Sequence, residues 1–450
     1  MRNHRVGVLA AVVALLVAAL SAGVAAQTPT PAPQLDPANA LFDDTVLHEI
    51  RLTINPKDWE TLQVHFLDNT YYTCDFRWRD EVKRNIAIRS RGNGSRSGVK
   101  PGLKVDFNHN VTDQNLLGLH QFVLRNNTQD PSGMHERISM LFFRRMGLRA
   151  PREAHTRLFV NNVYAGLYTI VEEVDKKFLS KNFGENDGFL LSYDYKGDDQ
   201  PYYLEDRGGS DPRLYDPKPF KQETRDTDPA PQAIGDLIQI INKDSDAIFK
   251  TTIAPYLNLD EFIQHMAIEI VLADNDGFNG DWGTNNFFLY LMENLRRFNF
   301  IAWDKSNAFT DVAYSIYRNI YDAPAAKRNR LTMRVMNLAD LKNAFLDTLL
   351  QYAAALSDST PVPTPLPPGT LKPARAPTPT SARPALDDTR GWMEREVEFE
   401  YAQIRDAEYA DPNKQPFTND DFEKEVENLR RFARERGDVV KKAVAAARQP

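Results

Sequence analysis

The sequence predicts an α+β fold, strand-rich in its first half and helix-rich in its second. Between Val46 and Val171, short runs alternate apolar and polar residues and end at Gly, Asn or Asp turns, as half-buried strands do. From Ala233 onward the apolar residues fall into the three-and-four rhythm of helices. One strand-like pair, Phe287–Leu291 and Phe298–Trp303, interrupts that rhythm. With 450 residues the chain is long enough for two lobes with additions.

Val46–Ile54 alternates as a strand, and Pro56–Val64 reads as a short helix entered at Asn55. Tyr71–Trp78 and Val82–Ser90 pair as strands around a polar turn at Arg79–Glu81. A glycine-rich turn, Arg91–Gly98, leads to the strand Leu103–Phe107, and Gln121–Arg125 is another strand. Met134–Met146 is an amphipathic helix stopped by Gly147. Thr156–Val160 and Tyr164–Val171 form a hairpin across Asn161-Asn162. Asp175–Phe183 is a helix ending at Gly184. Tyr195–Pro231 is polar, rich in Asp, Gly and Pro, and reads as a long loop. Helical patterns follow at Ala233–Asn242, Asn258–Asp274 and, in two stretches, Leu331–Leu356. Thr389–Tyr409 and Asn419–Ala446 are charged amphipathic helices.

The termini and linkers have their own signatures. Residues 1–26 read as a secretory signal: Arg2 and Arg5, a short apolar run Val6–Leu20, and Val24-Ala25-Ala26 before Gln27. Residues 27–45 begin as a Pro/Thr-rich tether, and residues 357–386 are a Pro-rich low-complexity insert. The expectation is a secreted or extracytoplasmic protein with no stable membrane span after cleavage. A net charge of −7 argues against nucleic acid as a partner. The single cysteine, Cys74, excludes an intramolecular disulfide, and the eight His residues show no zinc spacing. Any metal site would use oxygen ligands.

The segment Val271–Phe309 carries the chemistry: VLADNDGFNGDWGTNNFFLYLMENLRRFNFIAWDKSNAF. Acid and amide clusters (Asp274/Asp276/Asp281, Asn285/Asn286, Asp304) are separated by strand-like runs. A loop Asp, an Asn just before a strand and an Asp just after the returning strand is the layout that phosphotransferases of the kinase type need. The first Asp orients the acceptor hydroxyl; the Asn and the second Asp are hard oxygen ligands for Mg²⁺. Asp304 follows Ile301-Ala302-Trp303, and its charge in such apolar surroundings calls for a partner cation. The turn RGNGSRSG carries Arg91 and Arg96, with Lys100 and Lys104 beyond it. Glycines let backbone N–H groups approach phosphates; the plainer alternative is a basic hairpin tip. Glu172-Glu173 ends a strand, with Glu173 read as surface-facing and Glu172 as lying at the seam between lobes.

Five blocks in order resemble the CotH kinase family, the atypical kinases related to spore coat protein H. They are IRSRGNGSRSGVKPGLKVDF, LRNNTQDPSGMHERISMLFFRRMG, LFVNNVYAGLYTIVEEVDKKFL, the segment ending NNFFLY, and FNFIAWDKSNAF. The resemblance covers roughly Val46–Leu356. It implies a divergent bilobal protein-kinase-like fold, with an N-lobe over 46–184, a C-lobe over 185–356 and C-terminal helices over 387–450. It further implies ATP and Mg²⁺ as cofactors and a coat or cell-surface protein as phosphoacceptor. Asp304 and Asn286 would hold the metal. Lys100 or Lys104 would contact phosphate beside Arg91, with Glu172 or Glu136 as the lysine's partner. The catalytic Asp is Asp276, by match to the family, or Asp281, by its spacing to Asn286. Two positions depart from the family: Asn285 stands where it has His, and Ser306 where it has a second Asp. That loss motivates an alternative, a non-catalytic coat or adhesive protein with a vestigial pocket. AMP transfer or glutamylation on the same scaffold is a further alternative.

Overall fold

The computed structural model describes residues 36–193, 201–293, 295–358 and 389–449. The expected signal segment, residues 27–35 of the expected tether and nearly all of the Pro-rich insert lie outside these residues. The architecture is mixed α+β. Seven strands form a closed barrel: β1 (His48–Ile54), β2 (Tyr72–Trp78), β3 (Glu81–Ser90), β4 (Leu103–Asp106), β5 (Gln121–Arg125), β6 (Glu153–Val160) and β7 (Val163–Glu172), in the order β1-β2-β3-β4-β5-β7-β6. Parallel pairing of β1 with β6 closes it, His48 opposite Thr156 and Leu52 opposite Val160.

The barrel forms because its strands alternate. β1 buries Ile50, Leu52 and Ile54 on one face, and β4 buries Leu103 and Val105 while leaving Lys104 and Asp106 partly exposed. Phe76, Phe107 and Phe122 meet inside it, with ring centroids 5.2 to 6.0 Å apart. The β6–β7 turn uses Asn161 and Asn162, both at positive φ (51° and 65°), the geometry a tight hairpin requires.

Helix α1 (Pro56–Val64) follows β1, α2 (His135–Arg145) follows β5, and α3 (Lys176–Phe183) follows β7. A second, four-stranded sheet has the order β11-β10-β8-β9, with β8 at Phe189–Tyr193, β9 at Phe220–Gln222, β10 at Phe287–Leu291 and β11 at Phe298–Ala302. Around it lie α4 (Gln232–Lys243), α5 (Asp246–Ile253), α6 (Leu259–Val271), α7 (Arg330–Asn337) and α8 (Ala339–Leu356). The chain ends in α9 (Trp392–Tyr409) and α10 (Asn419–Ala447), which pack on α2, β7 and α8. Thr418 and Asp421 form a capping box that starts α10.

Three features differ from the sequence reading. The strand-rich half closes into a barrel, a closure the bilobal expectation did not include. The expected loop Tyr195–Pro231 contains β9, with β8 just before it. The last part of the expected tether is packed: Leu41 and Phe42 are buried, because Asp36 caps a short 3₁₀ turn over Pro37–Ala40 that turns them inward. Among the described residues no helix is long and apolar enough to cross a membrane.

Candidate active site

The β10–β11 hairpin builds the centre of the site. Its register sets Phe287 opposite Ala302, so Asn286 and Trp303 meet just beyond the paired ends. The Trp303 N–H donates to the Asn286 carbonyl at 3.3 Å. Asn286 (φ 59°) and Asp304 (φ 46°) both occupy the left-handed region, a conformation that costs energy for side-chain-bearing residues and recurs at functional sites.

Asp276 faces this hairpin from the loop after α6. Its carboxylate accepts from Asn285 Nδ2 (3.0 Å), Asn286 Nδ2 (3.0 Å) and Asn307 Nδ2 (3.2 Å). Asn286 also donates to the Asp276 carbonyl at 2.9 Å. That leaves the amide oxygen of Asn286 without a hydrogen bond among the described residues. Burial raises the Asp276 pKa above the ordinary carboxylate value, Asn285 opposes the shift, and the charge of Asp304 adds to it.

Asp304 accepts from Arg125 at 2.7 Å and from the Ser306 hydroxyl at 2.9 Å, both on Oδ1. Burial would raise its pKa, but Arg125, Ser306 and Arg91 outweigh that and hold it below the usual range. Arg125 also lies 3.2 Å from Glu136, on α2. Glu136 accepts the Lys305 N–H at 2.9 Å, and burial pushes its carboxyl up to about 7. Beneath the hairpin, the Lys305 ammonium is buried between Glu269 (2.6 Å) and Asp274 (3.0 Å), and Glu269 also meets His265 at 3.1 Å. These contacts fix the loops carrying Asp276 and Asp304 from below.

Two further cations lie on the barrel side, of which Arg91 acts on Asp304. Arg91 lies over the Trp303 ring at 5.7 Å and in the field of Arg125, Glu173 and Asp304. Lys104 lies 3.4 Å from Glu173. Asn126, on the loop after β5, donates to the carbonyls of Ser95 and Lys100 and so clamps the glycine turn.

The remaining sequence candidates are held by other partners than those expected. Lys100 is buried in an ion pair with Asp411 (2.6 Å), on the connection between α9 and α10, and lies over the Tyr168 ring. Glu172 is paired with Arg152 at 2.5 Å and with Lys181, which together pull it down to about 2 despite its burial. Lys104 pairs with Glu173, the residue the sequence analysis read as surface-facing, and not with Glu172. Glu136 meets an arginine rather than a lysine. Asp281 is held in a two-point ion pair by Arg318 (3.0 and 2.8 Å) and also accepts from Asn319. The sequence reading missed Arg125, Lys305, Glu269 and Asn307 as parts of the site. Arg125 and Asn307 carried a usable signal: Arg125 ends an apolar strand, and Asn307 lies inside the block FNFIAWDKSNAF already singled out.

Among the described residues no group of three or more His, Cys, Asp and Glu is arranged to hold a metal. Asp304 Oδ2 and the Asn286 amide oxygen are hard donors open to a cation that keeps most of its water or takes phosphate oxygens, which suits Mg²⁺.

The family described as CotH kinase protein matches residues 88–358. Inner spore coat protein H of Bacillus subtilis (strain 168) is 23% identical over 254 residues, 56% of this chain and 67% of the relative. The Helicobacter pylori proinflammatory kinase CtkA aligns over 79% of this chain and 94% of its own, with 10% identity and a TM-score of 0.31. That structural likeness is too distant to place any residue.

Proposed function

This chain belongs to the CotH kinase family, and from that premise we propose that it is an extracytoplasmic atypical protein kinase. It transfers the γ-phosphate of ATP to a Ser or Thr hydroxyl of a coat or surface protein. On this reading the barrel, extending through α3, acts as the N-lobe, and residues 185–356 act as the C-lobe.

The observation that carries the proposal is the convergence of three residues. Asn286 Nδ2 donates to the Asp276 carbonyl and carboxylate, and the Asn286 carbonyl holds the Trp303 N–H just before Asp304. Asp304 lies close enough to raise the Asp276 pKa, with Arg91 in the field of Asp304 and of Glu173, the partner of Lys104. Asp304 and the Asn286 amide oxygen would hold Mg²⁺, which supplies charge neutralisation for the β- and γ-phosphates. Arg91 and Lys104 bind phosphate oxygens, with Glu173 orienting Lys104. The acceptor hydroxyl oxygen forms a bond to the γ-phosphorus as the bond to the bridging oxygen of ADP breaks. Asp276 accepts the hydroxyl proton, and its raised pKa favours that role. Asn285, Asn286 and Asn307 keep its carboxylate aimed. Holding the groups in place and stabilising charge account for most of the rate.

A second reading, a non-catalytic coat component, is supported by one observation: the Arg125 guanidinium already neutralises Asp304, with Ser306 beside it. Calorimetry with MgATP on wild type and Asp304→Ala separates the two. Binding that the substitution abolishes, followed by γ-label transfer to protein, supports the kinase. A folded wild type that binds no MgATP supports the coat component.

A further inference from the structure

The family match ends at residue 358, yet the site leans on a helix far beyond it. Arg436, on α10, is fully buried. Its guanidinium donates to four backbone carbonyls: Ile270 (2.7 Å), Val271 (3.1 Å), Val312 (2.9 Å) and Tyr314 (2.7 Å). The first two are last-turn carbonyls at the C-terminal end of α6, six and five residues before Asp276, and that of Ile270 also accepts the Ala273 N–H at 3.2 Å. The other two lie just after the segment that runs from Asp304 through Phe309. One side chain therefore ties together the entry to one catalytic segment and the exit from the other.

The chemistry of this contact is specific. Five N–H donors in a rigid fork match several carbonyls at once, which a lysine cannot do. Among the described residues no carboxylate neutralises the charge at hydrogen-bond distance; instead it faces the negative end of the α6 dipole. Burial lowers the Arg436 pKa to about 10, with Tyr314 and Asp311 opposing, so the group stays charged at neutral pH. A simple packing role would be served by a Leu or Met at lower desolvation cost.

Neighbouring contacts reinforce the tie. Phe432, one turn earlier on the same face of α10, packs edge-on against Phe309 at 5.2 Å. His135 bridges the Ser306 carbonyl (3.1 Å) and Glu425 (3.1 Å), also on α10. Tyr314 donates its hydroxyl to the Asp274 carbonyl at 3.0 Å. Gly437 lets α10 cross close over α8, where a Cβ would lie 2.9 Å from the Ala353 carbonyl.

We infer that Arg436 is a positioning residue of the active site, and that α10 is a working part of the centre rather than an appendage. The inference rests on the kinase reading for its functional consequence, but its structural half can be read without any activity. The test uses the full chain with Arg436→Met and Arg436→Lys, followed by amide hydrogen exchange, MgATP calorimetry and MgATP turnover. The expected result for Arg436→Met is exchange at least ten-fold faster in 273–277 and 305–314, with the barrel unaffected. Turnover falls by ten- to a hundred-fold with little change in KM for ATP, and Arg436→Lys recovers part of both. Unchanged exchange in those two segments overturns the inference, as does a loss of turnover equal to the unfolded fraction. If Arg436→Met does not fold, Arg436→Lys decides alone: wild-type exchange and turnover overturn the inference, and intermediate values support it. A wild type that binds no MgATP defeats the kinase reading, while exchange still decides whether Arg436 positions the two segments.

Discussion

The guanidinium of Arg125 lies 2.7 Å from Oδ1 of Asp304, on the carboxylate proposed to hold the metal, and 3.2 Å from Glu136. Arg125 thus carries the charge balance of the apo site. Arg125→Met leaves Glu136 buried without its cation. Because Glu136 can take up a proton, the expected loss of stability is about 3 kcal/mol, the low end for a broken buried pair. Mg²⁺ should then raise the melting temperature of the variant more than that of wild type, since it no longer shares Asp304 with a guanidinium. Equal shifts in a thermal melt would count against metal binding at Asp304.

Lys104 and Lys100 should separate by assay. Lys104→Met removes a cation beside Glu173 and should weaken MgATP by about ten-fold, or ~1.4 kcal/mol, with little change in melting temperature. Lys100→Met strands Asp411, which otherwise accepts from Lys100 and from the Leu167 N–H. It should cost about 3 kcal/mol of stability and leave MgATP affinity per folded molecule unaltered. Calorimetry paired with urea melts checks both, and the reverse pattern would reassign the phosphate lysine.

The sequence made these elements legible where a strand has one wet face. Along β4, alternation put Leu103 and Val105 inside and Lys104 out, and Asn161-Asn162 marked a hairpin that forms. The choice between Glu172 and Glu173 was not legible, because β7 is buried along nearly its whole length and alternation carries no information about its faces. Closure of the barrel was hidden for another reason. It depends on β1 meeting β6 across most of the intervening chain, a pairing with no local signal. The partner of Lys100 lies beyond the Pro-rich insert, and a buried pair between such distant residues leaves no periodic trace.

His135 supplies a pH test of the α10 contact. Burial opposes its charge, but Asp130 and Glu425 outweigh it and raise its pKa from 6.5 to about 9. A raised folded pKa contributes stability that is fully present below the unfolded value near 6.5 and is lost as pH rises through about 9. The contribution is on the order of 3 kcal/mol. Urea melts should show the stability difference between wild type and His135→Gln shrinking by that order between pH 6 and 9.5. A difference independent of pH would mean that His135 is neutral in the folded protein.

Asp276 and Asp281 are five residues apart and differ in what already holds them. Asp281 is saturated by Arg318 and Asn319, and its pKa is lowered: burial would raise it, but those hydrogen bonds outweigh that. A carboxylate so engaged is a poor proton acceptor. Asp276 is surrounded by neutral amides and has a raised pKa. Asp276→Asn should therefore lower γ-phosphate transfer by at least a hundred-fold while MgATP affinity stays within about three-fold, because the loss falls on the acceptor's proton. Asp281→Asn should keep transfer within a few-fold of wild type and lower stability by about 1 kcal/mol, as a partly exposed pair does. Single-turnover assays with γ-labelled ATP distinguish the two, and a larger loss in Asp281→Asn than in Asp276→Asn would move the proton-accepting role to Asp281.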